Sequence, residues 1–263
     1  MTLVSDPCIE QMKISSLISL SYISLISNFV VASEFSYTKR KDAHVTIDAI
    51  ETSSTPSSVD SKLLDASMKA ASVGNLASLE ALLQHEGFDC NSTSANGSTI
   101  LIKATVGNHQ AVVDWLFGFD EMINVNAATD NGMTALLFAS KLGHLGIVDS
   151  LLKNSGIDAR IRDKNGNTAL HLASSQGHSE IVELFLNDGR MDVNAVAYDG
   201  STALMRASSG RHEKVVNLLV RQPGVNVNLV DRCAYSALMR ASCRGDLKVV
   251  SSIVNYGGVV EIN

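Results

Sequence analysis

Catalytic signatures are missing from this sequence. It has no P-loop, no H-E-x-x-H, no G-x-S-x-G and no G-x-G-x-x-G after a strand. Enzymes built on those phosphate-cradling, metal-binding or nucleophilic devices are thereby excluded. Paired cysteines are missing too. Cys8, Cys90, Cys233 and Cys243 show neither CxxC spacing nor a disulfide framework, which points to reduced thiols in a cytosolic protein. There is no excess of positive charge. The net charge of −6 argues against nucleic acid as the main partner. The balance is uneven along the chain. Residues 60–194 hold 9 Lys/Arg against 16 Asp/Glu, while residues 195–263 hold 8 against 5.

What the sequence has instead is a period. Taking Gly166 as origin, Asn167-Thr-Ala-Leu-His-Leu-Ala follows and runs on to Gly177-His178. Gly97, Gly132, Gly200 and Ala234 open equivalent stretches, at steps of 35, 34, 34 and 34 residues. A degenerate copy precedes them, in which Ala70 and Gly74-Asn75 align without a leading turn glycine. Within each copy, a Thr or Ser (Thr99, Thr134, Thr168, Thr202, Ser236) is placed to cap an inner helix. An Ala seven residues after the origin is small where neighbouring helices approach to about 8–10 Å. Gly74, Gly143, Gly177 and Gly245 end the inner helix in the left-handed region, with Asn108 and Arg211 standing at that position in two copies. An outer helix follows, with pairs such as Ile181/Val182 and Phe185/Leu186 on one face.

These residues resemble the ankyrin repeat, a unit of about 33 residues with a T-P-L-H-x-A signature. The resemblance covers about Ser61 to Asn263. Two departures run through it: Ala or Ile replaces the family's Pro, and only His171 keeps the family's His. The resemblance implies an all-α ankyrin-repeat solenoid, with helix-turn-helix pairs stacked and joined by β-hairpin turns. It is expected to comprise five repeats plus a degenerate amino-terminal capping repeat, at about 61–91, 92–126, 127–160, 161–194, 195–228 and 229–263. It also implies that Asn91, Asn126, Asn194 and Asn228 brace the hairpins, a pattern broken at Ala159-Arg160.

Residues 1–60 lie outside the repeat. Ile14 to Ala32 is uncharged but rich in serine, and three readings of it stand side by side. The stretch from Met12 resembles a secretory signal peptide cleaved after Ala32. Alternatively, residues 12–32 anchor the chain in a membrane, with Lys39-Arg40-Lys41 holding the repeats in the cytoplasm. The third reading is a poorly ordered extension. Residues 51–61, rich in Ser and Thr, read as a disordered linker.

The expected function is non-catalytic: a protein-interaction module, adaptor or scaffold, in the cytoplasm and without cofactor. The alternative is a secreted or membrane-tethered effector or inhibitor using the same concave face. His109, His144, His178 and His212 recur at the repeat step, but stacked repeats hold equivalent residues about 10 Å apart. One zinc requires roughly 4 Å between its ligands, so no metal is expected. By resemblance, the binding residues lie around the turn glycine and on the exposed side of the inner helix. Arg206 and Arg240 stand at equivalent positions there, with Arg244 and Arg232 nearby and Lys103 in the same column. Tyr198, Tyr235, Phe138 and Met133 offer apolar contacts. The expected partner is a protein with an acidic segment. Apolar residues that persist to Val259-Val260 and Ile262 point to truncation, to self-association through the carboxy-terminal end, or to a partner that covers that end.

Overall fold

A computed structural model of the chain describes residues 56–85, 88–119 and 122–256. It divides into two compact units, Met1–Ala127 and Ala128–Asn263. In the first unit, α1 (Pro56–Ser72) and α2 (Leu76–Leu82) form one helix pair, and α3 (Ile100–Val106) and α4 (Gln110–Phe117) the next. The second unit has four pairs: α5 (Ala135–Leu142) with α6 (Leu145–Lys153), α7 (Ala169–Gln176) with α8 (Ser179–Asp188), α9 (Ala203–Ser209) with α10 (Glu213–Val220), and α11 (Ala237–Cys243) with α12 (Leu247–Tyr256). Among the described residues the only β structure is isolated bridges at the hairpin bases, Ala128–Thr134, Val196–Thr202 and Val230–Ser236. This is an all-α repeat solenoid. None of these helices is long and apolar enough to cross a membrane, and the 12–32 stretch lies outside the described residues.

One expectation is corrected. The stretch 51–61 is not all linker, because α1 begins at Pro56. Proline suits the first position of a helix, where its missing N–H would be unpaired anyway. The rest of that stretch lies outside the described residues.

The inner helices are only seven or eight residues long from α3 onward. Helices so short are marginal alone and depend on caps and packing. Thr99, Thr134, Thr202 and Ser236 each accept the amide three residues on, at 3.2–3.3 Å. Inside the second unit, α5, α7, α9 and α11 pack in succession, and α6, α8, α10 and α12 pack behind them. Ala139, Ala173, Ala207 and Ala241 are completely buried between the inner helices. Ile147, Val148, Leu151, Ile181, Val182, Phe185, Val215, Val216 and Leu219 form the outer core. Each large side chain buried there contributes about 1.5–3 kcal/mol.

Three polar devices fix one pair on the next. The first runs between hairpin tips. The amides of Lys164, Tyr198 and Arg232 donate to the carbonyls of Asn131, Asn165 and Asp199, at 2.9–3.0 Å.

The second uses the recurring histidines. They stand at the outer-helix N-cap, yet His109, His178 and His212 make no side-chain cap to their own helices. Their Nε2–H groups donate instead to Ser72, Lys141 and Ser175, carbonyls near the end of the preceding inner helix. The rings lie over glycines of that preceding pair. A Cβ on Gly74, Gly143 or Gly177 would come within 2.4–2.5 Å of the ring of His109, His178 or His212, and all three glycines have positive φ. Where Asp246 replaces the histidine, the preceding pair has Arg211 in place of glycine, also at positive φ. With no ring to accommodate, Arg211 Nη2 reaches the Arg244 carbonyl at 2.7 Å.

The third is the asparagine brace. Asn91 Nδ2 donates to the Met122 carbonyl at 2.6 Å, and its Oδ1 accepts the Asn124 amide. Asn194 does the same with Gly224 and Asn226. At Arg160, where the brace pattern breaks, the guanidinium turns back on Asp158. The junction is held instead by Arg190, which pairs with Asp188 and reaches the Leu152 carbonyl at 2.8 Å. Ahead of the Asn91 brace contacts, Trp115 and Phe119 meet edge to face at 5.1 Å.

His171 is buried at the junction of α7 with α9. Its Nε2–H donates to the Ser201 carbonyl at 3.0 Å, and its Nδ1 accepts from the Thr168 hydroxyl at 2.8 Å and the Thr168 amide. The ring is therefore neutral. Burial holds its pKa down to about 4, repulsion from Arg206 and Arg162 adds to this, and the Ser201 hydrogen bond opposes it.

Two predictions follow from these contacts. Gly177→Ala and Gly245→Ala both place a Cβ in the left-handed region, at about 1–2 kcal/mol. Only Gly177→Ala also displaces a ring, since nothing lies within 4 Å of a Cβ on Gly245. Urea denaturation will show the larger loss at Gly177. For His171, the unfolded chain takes up its proton as pH falls below about 6.5, before the folded chain does. Stability from this residue is thus complete above pH 6.5 and is lost as pH falls toward 4, by up to roughly 3 kcal/mol. His171→Met, matching the buried Met205, will flatten that part of the stability–pH curve.

Candidate protein interface

The hairpin tips of the second unit place their outward residues in columns. Lys164, Tyr198 and Arg232 share one column, two residues before each origin, and their amides form the tip-to-tip bonds already described. All three side chains are exposed. The Tyr198 ring lies against Gly166, where a Cβ would meet it at 2.6 Å. Val196 and Val230 stand two residues earlier in their tips, and Tyr235 one residue after its origin; all are exposed. Tips of the last two described pairs therefore present Val196, Tyr198, Val230, Arg232 and Tyr235 to solvent. Among the described residues, the Arg232 guanidinium has no ion-pair partner.

The two equivalent arginines are in a different state. Arg206 Nη2 pairs with Asp199 at 2.9 Å and reaches Asn167 Oδ1. Arg240 pairs with Asp231 and donates to Ser209 Oγ at 3.2 Å. Each is about two-thirds buried, and the Nε of each is buried without a hydrogen-bond partner. The Asp231 side chain is almost wholly buried and also accepts the Cys233 and Tyr235 amides. Burial pushes its pKa up, but those amides and Arg240 outweigh it, so the carboxyl stays below its ordinary range. Asp199 is shifted down in the same way, with Ser201 and Arg206 outweighing its burial. The positive charge of the Arg206/Arg240 column is thus matched by carboxylates of its own hairpins.

Arg244 is exposed at the end of α11, where its carbonyl receives Arg211. Phe138 and Met133 are half-buried in the first pair of the second unit. Lys103 is half-buried on α3 and belongs to the first unit. The expected residues therefore fall into three sets. Tyr198, Arg232 and Tyr235 share the exposed tips. Arg206 and Arg240 sit beneath those tips as structural ion pairs. Lys103, Met133, Phe138 and Arg244 lie elsewhere. Sequence reasoning missed Lys164, Val196 and Val230, although comparing tip positions copy by copy would have found them. No group of His, Cys, Asp or Glu among the described residues is arranged to hold a metal.

The comparison with curated proteins gives no match. A family model described as ankyrin repeats matches residues 67–163 and 151–231. That match spans more than half of the chain, and it coincides with capped inner helices, left-handed glycines and hairpin tips bonded in register: the chain belongs to the ankyrin repeat family.

Proposed function

We propose that this protein is a non-catalytic adaptor or scaffold that captures a partner protein on the hairpin tips of the last two described pairs. Ankyrin repeats are generally protein–protein interaction modules and typically non-catalytic. The observation that carries the finer reading is the cluster of Val196, Tyr198, Val230 and Tyr235, exposed apolar side chains on adjoining tips whose backbones are bonded together. Such a rigid aromatic-rich patch suits a binding hot spot, because little side-chain entropy is lost on contact. Arg232, unpaired beside it, supplies the attraction for an acidic segment of the partner. Arg206 and Arg240 support the surface from below.

The test separates the two sets of arginines. Proteins captured by proximity labelling with the native chain will be lost with Tyr198→Ser combined with Arg232→Glu, while the melting temperature stays unchanged. An unaltered set of captured proteins would sink the reading. Arg240→Glu will instead lower stability, on the order of 3 kcal/mol, because it leaves the buried Asp231 facing a like charge. Thermal melting checks this.

A further inference from the structure

The charged residues at the hairpin tips of the second unit are of two kinds. Asp163, Asp199 and Asp231 turn back into their own hairpins. Asp163 accepts the Asn165 and Asn167 amides. Asp199 accepts the Ser201 amide and pairs with Arg206. Asp231 accepts the Cys233 and Tyr235 amides and pairs with Arg240. These carboxylates belong to the scaffold. The residues two before each origin behave differently. Asp130, Lys164, Tyr198 and Arg232 are all exposed, Tyr198 by 60%. Among the described residues, none of these four side chains makes a hydrogen bond or an ion pair. Their backbones are nonetheless held in register. The Lys164 amide donates to the carbonyl of Asn131, beside Asp130, and the amides of Tyr198 and Arg232 repeat that bond to Asn165 and Asp199. Along the stack the column runs acid, base, tyrosine, base.

We propose that this column reads an extended acidic segment of the partner protein, one residue in every three, in the polyproline II conformation. The proposal rests on capture by the tips and adds the partner's shape and charge order. Successive inner helices of the unit pack side by side, so their tips follow each other at about 8–10 Å. A polyproline II chain has three residues per turn at about 3.1 Å each, and every third side chain returns to one face after about 9 Å. A β-strand fails this match, because its side chains alternate between faces and residues three apart point opposite ways. The complement of the column is then an acid facing Lys164, an apolar residue facing Tyr198 and an acid facing Arg232, each three places from the last. Three places outside the first acid, Asp130 favours a lysine or arginine and repels a further acid. A segment already extended in this way loses little freedom on docking, and an exposed aromatic ring is a common seat for it.

Random peptides displayed on phage and selected on the full native chain test this. The recovered sequences will carry two acids six places apart, an apolar residue midway and a base three places outside one acid. Lys164→Glu will weaken binding of a selected peptide about fivefold, the upper range for an exposed ion pair. Changing the peptide's acid next to its base into lysine will restore binding to that variant. Asp130→Lys will in the same way exchange the preferred base for an acid. Both side chains are exposed and unpaired, so thermal melting will be unchanged in the two variants. Acids recovered without this spacing, a charge exchange that restores nothing, or no peptide that depends on Lys164 each overturn the proposal. Capture by the tips is judged separately, by proximity labelling. Proteins lost with Tyr198→Ser combined with Arg232→Glu but indifferent to Lys164→Glu would leave the tips as the interface and overturn only this register.

Discussion

The contact on which the stack depends is a histidine ring placed over a glycine and bonded to a carbonyl beyond it. An inner helix of seven or eight residues leaves its last carbonyls without helical partners, and the ring's Nε2–H satisfies one of them from the following pair. The rings of His109, His178 and His212 each fit where the residue beneath has no Cβ. The Gly-His dipeptide that recurs in the sequence is therefore not a local unit. Gly143 serves His178 and Gly177 serves His212, so each copy holds half of two different contacts. The two departures at the end of the chain obey the same rule: Asp246 removes the ring, and Arg211 is then tolerated where glycine stood.

Much of the fold was legible in the sequence because its signals are local and repeated. The period, the Thr and Ser caps and the positions of positive φ depend on residues a few places apart. Asn108 and Arg211 occupy the left-handed region at the positions where the sequence shows no glycine. The state of Arg206 and Arg240 was not legible, for a physical reason. Their carboxylates sit at different places in the turn, Asp199 one residue before its origin and Asp231 three before. Column-by-column reading sees two matching arginines and no matching acid. The start of α1 was hidden by composition, since Ser and Thr that favour turns also serve a first helical turn. At the tips, regularity of the glycines drew attention inward, away from the exposed column at 164, 198 and 232.

Charge consequently has two roles in the second unit. Paired under the tips, Arg206 and Arg240 hold hairpins in place, and their carboxylates are kept ionised by amides as much as by guanidinium. Exposed on the tips, Arg232 has no ion-pair partner among the described residues. The same residue type, a few residues apart, thus serves the scaffold in one place and the surface in the other. The tip-to-tip bonds engage the amides of Lys164, Tyr198 and Arg232, while the side chains of all three stay exposed.

Ala234 occupies the left-handed region at the last tip, where the other tips of the second unit have glycine. An alanine there costs about 1 kcal/mol or more relative to an unstrained residue, and among the described residues it sits in a pair with a neighbouring pair on one side only. Local stability in a solenoid is set by nearest neighbours. Amide protection should accordingly decline from α7 toward α12, with the last hairpin opening on its own well before the unit unfolds. Tyr235 belongs to that loosened hairpin and Tyr198 to the firmer one before it. A partner that spans both must order the final repeat as it binds, so part of its affinity is spent on stiffening the end of the stack.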